Sequence, residues 1–380
     1  MLSICSDLDE TPTADDYFTI SQYLNTTQST PIGRGVGLEV GNTLFFDMAP
    51  GEFSYWSATD AERARTRTLI HSGHIDCFHS YGDLATKRAD AVRALEELAR
   101  YECKLPVWVD HGLAISNLGP DIMVGQGDVQ DHPVYHADLT LDHGVRYAWL
   151  GRVTSCIGQN APYSLTTGLK ADRSIATLKN TVKDAIKLCR GMLGDPKYDL
   201  HRGNRLTRRY TLRNGGEITE FMRCNPHPRG VSVGDHAGGI GHALNAQAIE
   251  HLVERRGVSI VYTHLGKGLQ RPALFNQAAR EGFQRLADAQ ARGDLLIATT
   301  SRVLDFVAAR DALTVEEHSD HVALHLPAHL PKDGLAWRGV DDRKPVTLNG
   351  RSVRCDHSTD ERGSTWSCFA WPRLEYPSEK

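Results

Sequence analysis

The feature that most constrains this chain is an alternation. From the first residues to about position 310, short apolar runs of strand length are each followed by helical periodicity. LSICS precedes a helical segment from about Ala14 to Leu24. VGLEVGNTLFF precedes one that Thr59 and Asp60 can start. HIDCFHS leads into a helix with Val92, Leu95 and Leu98 on one face. LPVWVD, VRYAWLG, GVSVGD, VSIVYTH and DLLIATTS continue the series. Parallel neighbours need a long crossover, and a helix is the usual one. The predicted class is therefore α/β, with seven or eight strand–helix units. A closed or nearly closed (β/α) barrel over residues 1–311 is the economical arrangement.

Two stretches break the rhythm. Residues 152–229 hold a helical pattern with Ile175, Leu178, Val182 and Ile186 on one face, then a hairpin signal turning at Asn214-Gly215-Gly216. They read as an insertion over the barrel mouth. Residues 312–380 carry alternating runs and a second hairpin signal at Asn349-Gly350, and read as a small β-rich appendage. His321, His325 and His329 there are read as surface residues.

Composition narrows the partners. The 380 residues carry a net charge of -4, with no basic surplus for nucleic acid and no cationic run for an anionic membrane. No apolar run is long enough to span a bilayer, and MLSICSDLDET lacks the pattern of a signal peptide. The eight cysteines form no CxxC pair. A cytoplasmic protein with reduced thiols is expected, and a homo-oligomer stays open.

In β/α barrels function sits at the C-terminal ends of the strands. Asp7 and Asp9, His79 and Asp83, Asp110 and His111, Asp235 and His236, and His264 all follow apolar runs. His79 and Asp83 are four apart at the expected entry to a helix, so one face can present both to an ion. Imidazole and carboxylate donors suit a divalent transition metal: zinc, cobalt, nickel, manganese or iron(II). Asp7 and Asp9 flank Leu8 in an extended segment, so one can bind metal while the other takes a proton from water. His264 can protonate a leaving group. Asp110, His111, Asp235 and His236 can orient these groups or bind sugar hydroxyls. Trp149 can offer an apolar face to a substrate, although core packing is the commoner fate of such a residue. His74 and Asp76 are expected along the strand, supporting the site.

At this point the chain resembles the polysaccharide deacetylase (NodB-homology) family. GHIDCFHSYGD, from Gly73 to Asp83, is similar to the family's GHEIGNHTYSH, with aspartate at the second metal-binding histidine. CSDLDE stands for its adjacent aspartate pair, with Leu8 inserted. YTH, ending at His264, stands for its late LxH motif. VWVDHG occupies the place of the family's arginine motif, and no arginine is found there. The resemblance covers about residues 1–310, without the insertion. It implies a distorted (β/α) barrel and metal-assisted removal of an acyl group from an N-acylated sugar or sugar-like small molecule. The ligands would be Asp9, His79 and Asp83, with zinc the first expectation. Asp7 would be the base and His264 the acid, the roles of Asp7 and Asp9 being exchangeable.

Two rivals come from other classes. ICSDLDET also resembles the DxDxT motif of haloacid-dehalogenase-like phosphatases, in which Asp7 would be the nucleophile, Asp9 the acid/base and magnesium the ion. That reading leaves the histidine-rich run unused. A non-catalytic barrel that binds carbohydrate is the second.

Overall fold

The computed structural model describes residues 1–8, 11–112, 114–162, 174–338, 344–360 and 363–378. It divides into two compact units, Met1–Thr300 with Glu375–Lys380, and Ser301–Leu374.

The strands of the first unit are β1 (Leu2–Ser6), β2 (Ser29–Thr30), β3 (Gly33–Arg34), β4 (Gly41–Leu44), β5 (Ile75–His79) and β6 (Val107–Val109), then β7 (Tyr147–Trp149), β8 (Val153–Thr154), β9 (Thr207–Thr211), β10 (Glu217–Phe221), β11 (Arg223–Cys224) and β12 (Ser259–Thr263). β2 and β3 pair only with each other. The remaining ten form one sheet in the order β8-β11-β12-β1-β4-β5-β6-β7-β10-β9. Its pairs are parallel except β9 with β10.

The connections require this sheet to curl. β7 and β8 stand seven intervals apart, about 34 Å in a flat sheet. Only residues 150–152 join them, a reach of about 14 Å at full extension. β10 and β11 stand equally far apart in the order and are joined by Met222 alone. The result is a mixed α/β unit around a parallel half-barrel.

Local sequence explains the elements. β1, β5, β6 and β7 are buried along their whole length, as strands covered on both faces must be. Thr13 caps the helix Ala14–Asn25 by accepting the Asp16 N–H at 3.2 Å. Thr59 and Glu62 form a reciprocal capping box on the helix Asp60–His71. The helix Arg88–Arg100 buries Ala91, Ala94 and Leu98 against the core.

Several expectations are corrected. Residues 152–229 are not an excursion from the sheet, because they supply β8 to β11 and so part of its wall. The Asn214-Gly215 hairpin forms, but its second strand also pairs in parallel with β7. Glu220, wholly buried on β10, anchors it by pairing with Arg152 and Arg208. GVSVGD is no strand: Val231–Gly234 is one helical turn. DLLIATTS contributes only a single bridge, Ile297 to Leu2. On the helix Ile175–Met192 the apolar row Ile175, Leu178, Val182 and Ile186 is exposed, while Thr177, Asp184 and Gly191 are buried.

The second unit begins within the helix Thr300–Ala312. Its four-stranded sheet is β13 (Thr314–Glu317), β14 (Val322–His325), β16 (Val346–Leu348) and β17 (Arg351–Val353). A three-stranded sheet runs β15 (Ala336–Arg338), β19 (Thr365–Cys368), β18 (Asp356–Thr359). Asn349 and Gly350, both at positive φ, turn β16 into β17. Leu324, Leu335, Trp337 and Phe369 lie in its own small core. Among the described residues no helix is long and apolar enough to cross a membrane.

Candidate active site

Parallel strands bring their C-terminal ends to one edge. β1 and β12 run in register from Leu2 with Ser259 to Ser6 with Thr263. The ladder carries one residue further, where the Asp7 N–H donates to Thr263 O at 2.9 Å. Asp7 and His264 therefore leave adjacent strands side by side, and His79 ends β5 two strands away.

Asp7 is the centre of the cluster, with 1% of its surface exposed. The Nε2 atoms of His79 and of His264 each lie 3.9 Å from its Oδ2. Arg223, from β11, places Nη1 2.8 Å from Oδ1, to which it donates, and 2.8 Å from Oδ2. The guanidinium carbon sits 3.6 Å over the Trp149 ring and 4.3 Å from that of Tyr262. Burial disfavours the Arg223 charge, but the adjacent Asp7 carboxylate outweighs this and holds its pKa above the ordinary arginine value. Asp7 Oδ2 and Arg223 Nε and Nη2 are buried without a hydrogen-bond partner among the described residues.

Each histidine is oriented by a neighbour. Asp235 O can only accept, so His264 Nδ1, 2.8 Å away, carries a proton and donates it there. That leaves Nε2 facing Asp7, with the Tyr262 hydroxyl at 3.4 Å. The His79 ring stacks on Phe45 at 4.4 Å and meets the His111 ring edge-on at 4.7 Å. Its Nδ1 is 3.4 Å from Thr43 Oγ1.

Asp83 is not presented with His79 on one helical face. The helix begins only at Arg88, and Ser80 and Gly82 take positive φ between them. Asp83 Oδ1 instead lies 2.7 Å from His111 Nδ1, and it is the His111 ring that touches His79. Asp9 lies outside the described residues. Among the described residues no three His, Cys, Asp or Glu side chains are grouped to hold a metal. Asp7 Oδ2, ion-paired with Arg223 but accepting no hydrogen bond, lies opposite His79 Nε2, and the two are nevertheless a donor pair of the kind a divalent transition metal takes.

The other expected residues divide. Trp149 belongs to the site, but as the platform under Arg223, and its Nε1 donates to Arg152 O at 2.8 Å. Asp235 serves through its carbonyl, while His236 Nδ1 accepts the Gly238 N–H at 3.1 Å. Asp110 is wholly buried and accepts from Trp108 Nε1, Leu118 N and Gly119 N, so both its oxygens bind the protein itself. Burial pushes its carboxyl up to about 7 against the pull of these donors. Asp76 is the extra residue of the bulge where β5 meets β4, with the Cys77 thiol 3.3 Å from its Oδ1. His74 precedes β5, at the end of the strand opposite His79. It binds Ser72 Oγ at 2.9 Å, and burial lowers its pKa to about 4.

Arg223 and Tyr262 escaped the sequence reading. The signal for Arg223 was the apolar run ITEFMRC after the Asn-Gly turn, which continues the sheet. No family model, no curated protein and no solved structure matches the chain.

Proposed function

We propose that the chain is a metal-dependent amide hydrolase that removes the acyl group from an N-acylated sugar or sugar-like small molecule, as the resemblance to polysaccharide deacetylases implies. One observation carries the reading: a buried carboxylate oxygen of Asp7, without a hydrogen-bond partner, faces the Nε2 atoms of two histidines at 3.9 Å each. Hydrolysis of an amide needs a base for water and an acid for the departing amine, held close together.

In this reading Asp7 takes the proton of the attacking water. Arg223 fixes the carboxylate by contacting both of its oxygens. His264, protonated on Nε2, gives that proton to the leaving nitrogen, while its bond to Asp235 O keeps the ring turned inward. The resemblance implies a divalent transition metal, zinc first, on Asp9, His79 and Asp83, which would polarise the acyl oxygen and lower the pKa of water; of these, His79 faces Asp7, while Asp83 is turned to His111. The His111 contact would then orient Asp83. Part of the same proposal is that the curled sheet is a distorted barrel of about seven strand–helix units. The short links from β7 to β8 and from β10 to β11 support it.

The test is acetate release from N-acetylated sugars by protein reconstituted separately with zinc, cobalt, nickel, manganese and iron(II), beside Asp7→Asn and His79→Ala. Activity and bound metal in the wild type, with metal lost in His79→Ala and turnover lost in Asp7→Asn, are expected. Aryl-phosphate hydrolysis with magnesium, abolished by Asp7→Asn, would replace this reading with the phosphatase. Sugar binding without turnover under any metal would leave a carbohydrate-binding barrel.

A further inference from the structure

A cleft of about 500 Å³ adjoins the Asp7 cluster. Three of its lining residues also belong to that cluster's support. Trp149 and Tyr262 flank the Arg223 guanidinium, and Asp235 holds His264. Four other lining residues are cationic, Lys179, Lys183 and Lys187 from the helix Ile175–Met192 and Arg229 from the segment after β11, and the remainder are neutral.

These charges are not alike. Lys187 is neutralised, with Nζ 3.2 Å from Asp184 Oδ1 and 3.1 Å from Val153 O. Lys179, Lys183 and Arg229 are exposed and form no ion pair among the described residues. Lys179, Lys183 and Lys187 are spaced i, i+4, i+8, so neighbours share a face and repel. A lysine row on a helix is ordinarily a solvated surface. This one lines a cavity, is joined there by an arginine from another segment, and meets Asp235 as the one acidic residue of the lining among the described residues.

We propose that this cleft binds a phosphate group carried by the substrate, so that the amide hydrolysed belongs to a phosphorylated N-acyl sugar. This rests on the hydrolase reading for the amide, but the anion site stands on its own residues. Lysines supply point charges to phosphate oxygens, and the Arg229 fork can add a bidentate contact. The aromatic pair Trp149 and Tyr262 would divide the phosphate end from the reacting end. A neutral N-acyl sugar would leave the cationic row unmatched and should be a poorer substrate.

The probe is pyrophosphate, titrated calorimetrically into the whole protein at fixed ionic strength. Binding that weakens at least tenfold in the Lys179→Ala, Lys183→Ala double variant and in Arg229→Ala, but not in Lys104→Ala outside the cleft, is expected. Unchanged unfolding temperatures would show that the variants are folded. No binding, or binding indifferent to these substitutions, overturns the proposal. Sedimentation with phosphatidylcholine vesicles, with and without phosphatidic acid, separates a lipid phosphate from a soluble one. Vesicle binding that needs phosphatidic acid and the lysines would assign the site to a lipid. If pyrophosphate binds as expected while neither a phosphorylated nor a neutral N-acyl sugar is hydrolysed, the anion site survives and the hydrolase reading fails.

Discussion

Arg223 Nη1 stands 2.8 Å from each oxygen of the Asp7 carboxylate, with both residues shut away from solvent. Removing one member of a buried pair strands the other charge, at a cost of about 3–5 kcal/mol. Arg223→Met should therefore lower stability in that range. Asp7→Asn combined with Arg223→Met should be more stable than Arg223→Met alone, since no charge is left unpaired. Urea unfolding of the two variants measures this. The same change in stability on Asp7→Asn in the wild type as in Arg223→Met would show that the pair is not energetically coupled.

His264 is assigned to the leaving group, so its importance should depend on what leaves. His264→Gln should lower kcat/KM for an N-acetyl sugar by about a hundred- to ten-thousandfold. An acetate ester of a nitrophenol needs no proton on its leaving oxygen and should lose less than tenfold. Equal losses on both substrates would remove His264 from the role of acid.

Gly82 sits at φ +101°, and an added Cβ would lie 2.0 Å from Asp47 O. The obstacle is backbone, so it cannot swing aside. Gly82→Ala should cost about 1–3 kcal/mol and should pull Asp83 off His111, the ring that abuts His79. Loss of metal affinity alongside the loss of stability is the expected pair of results. Full metal affinity in a folded variant would show that this loop does not position a ligand.

His74 gives the stability a pH dependence of known sign. Its pKa falls from 6.5 to about 4 because burial disfavours the charged ring. Between those values the unfolded chain binds a proton that the folded chain refuses. The contribution is therefore complete above pH 6.5 and is lost as pH falls towards 4, by up to about 3 kcal/mol. His136 and His201 are shifted the same way by burial. His74→Leu should narrow the gap in urea midpoint between pH 7.5 and pH 4.5. An unchanged gap would mean that His74 is not a source of the acid sensitivity.

Much of the site could be read before the fold was seen, because local pattern places strand ends and strand ends place chemistry. Asp7, His79 and His264 are legible in this way. Arg223 was hidden because an Asn-Gly turn announces a hairpin but not that the chain runs on through Met222 into β11, which pairs with β8 and β12. Asp83 was misplaced by counting four residues as a helical turn, although Gly82 between them was a visible warning. Asp110 looked like a site residue since it follows a strand. Its carboxylate turns back to bind Leu118 and Gly119, a choice set by the loop rather than by the strand.

The pairing of β1 with β12 has a temporal consequence. Leu265 N–H reaches Ser6 Oγ at 3.3 Å across 259 residues of chain. Asp7 and His264 thus meet only after nearly the whole first unit has left the ribosome. Contacts of such long range close slowly, because the loop entropy is spent before they stabilise anything. During synthesis Asp7 must wait without its partners from β11 and β12. Chemistry at this centre would therefore switch on as one late event, when the two strands lock together.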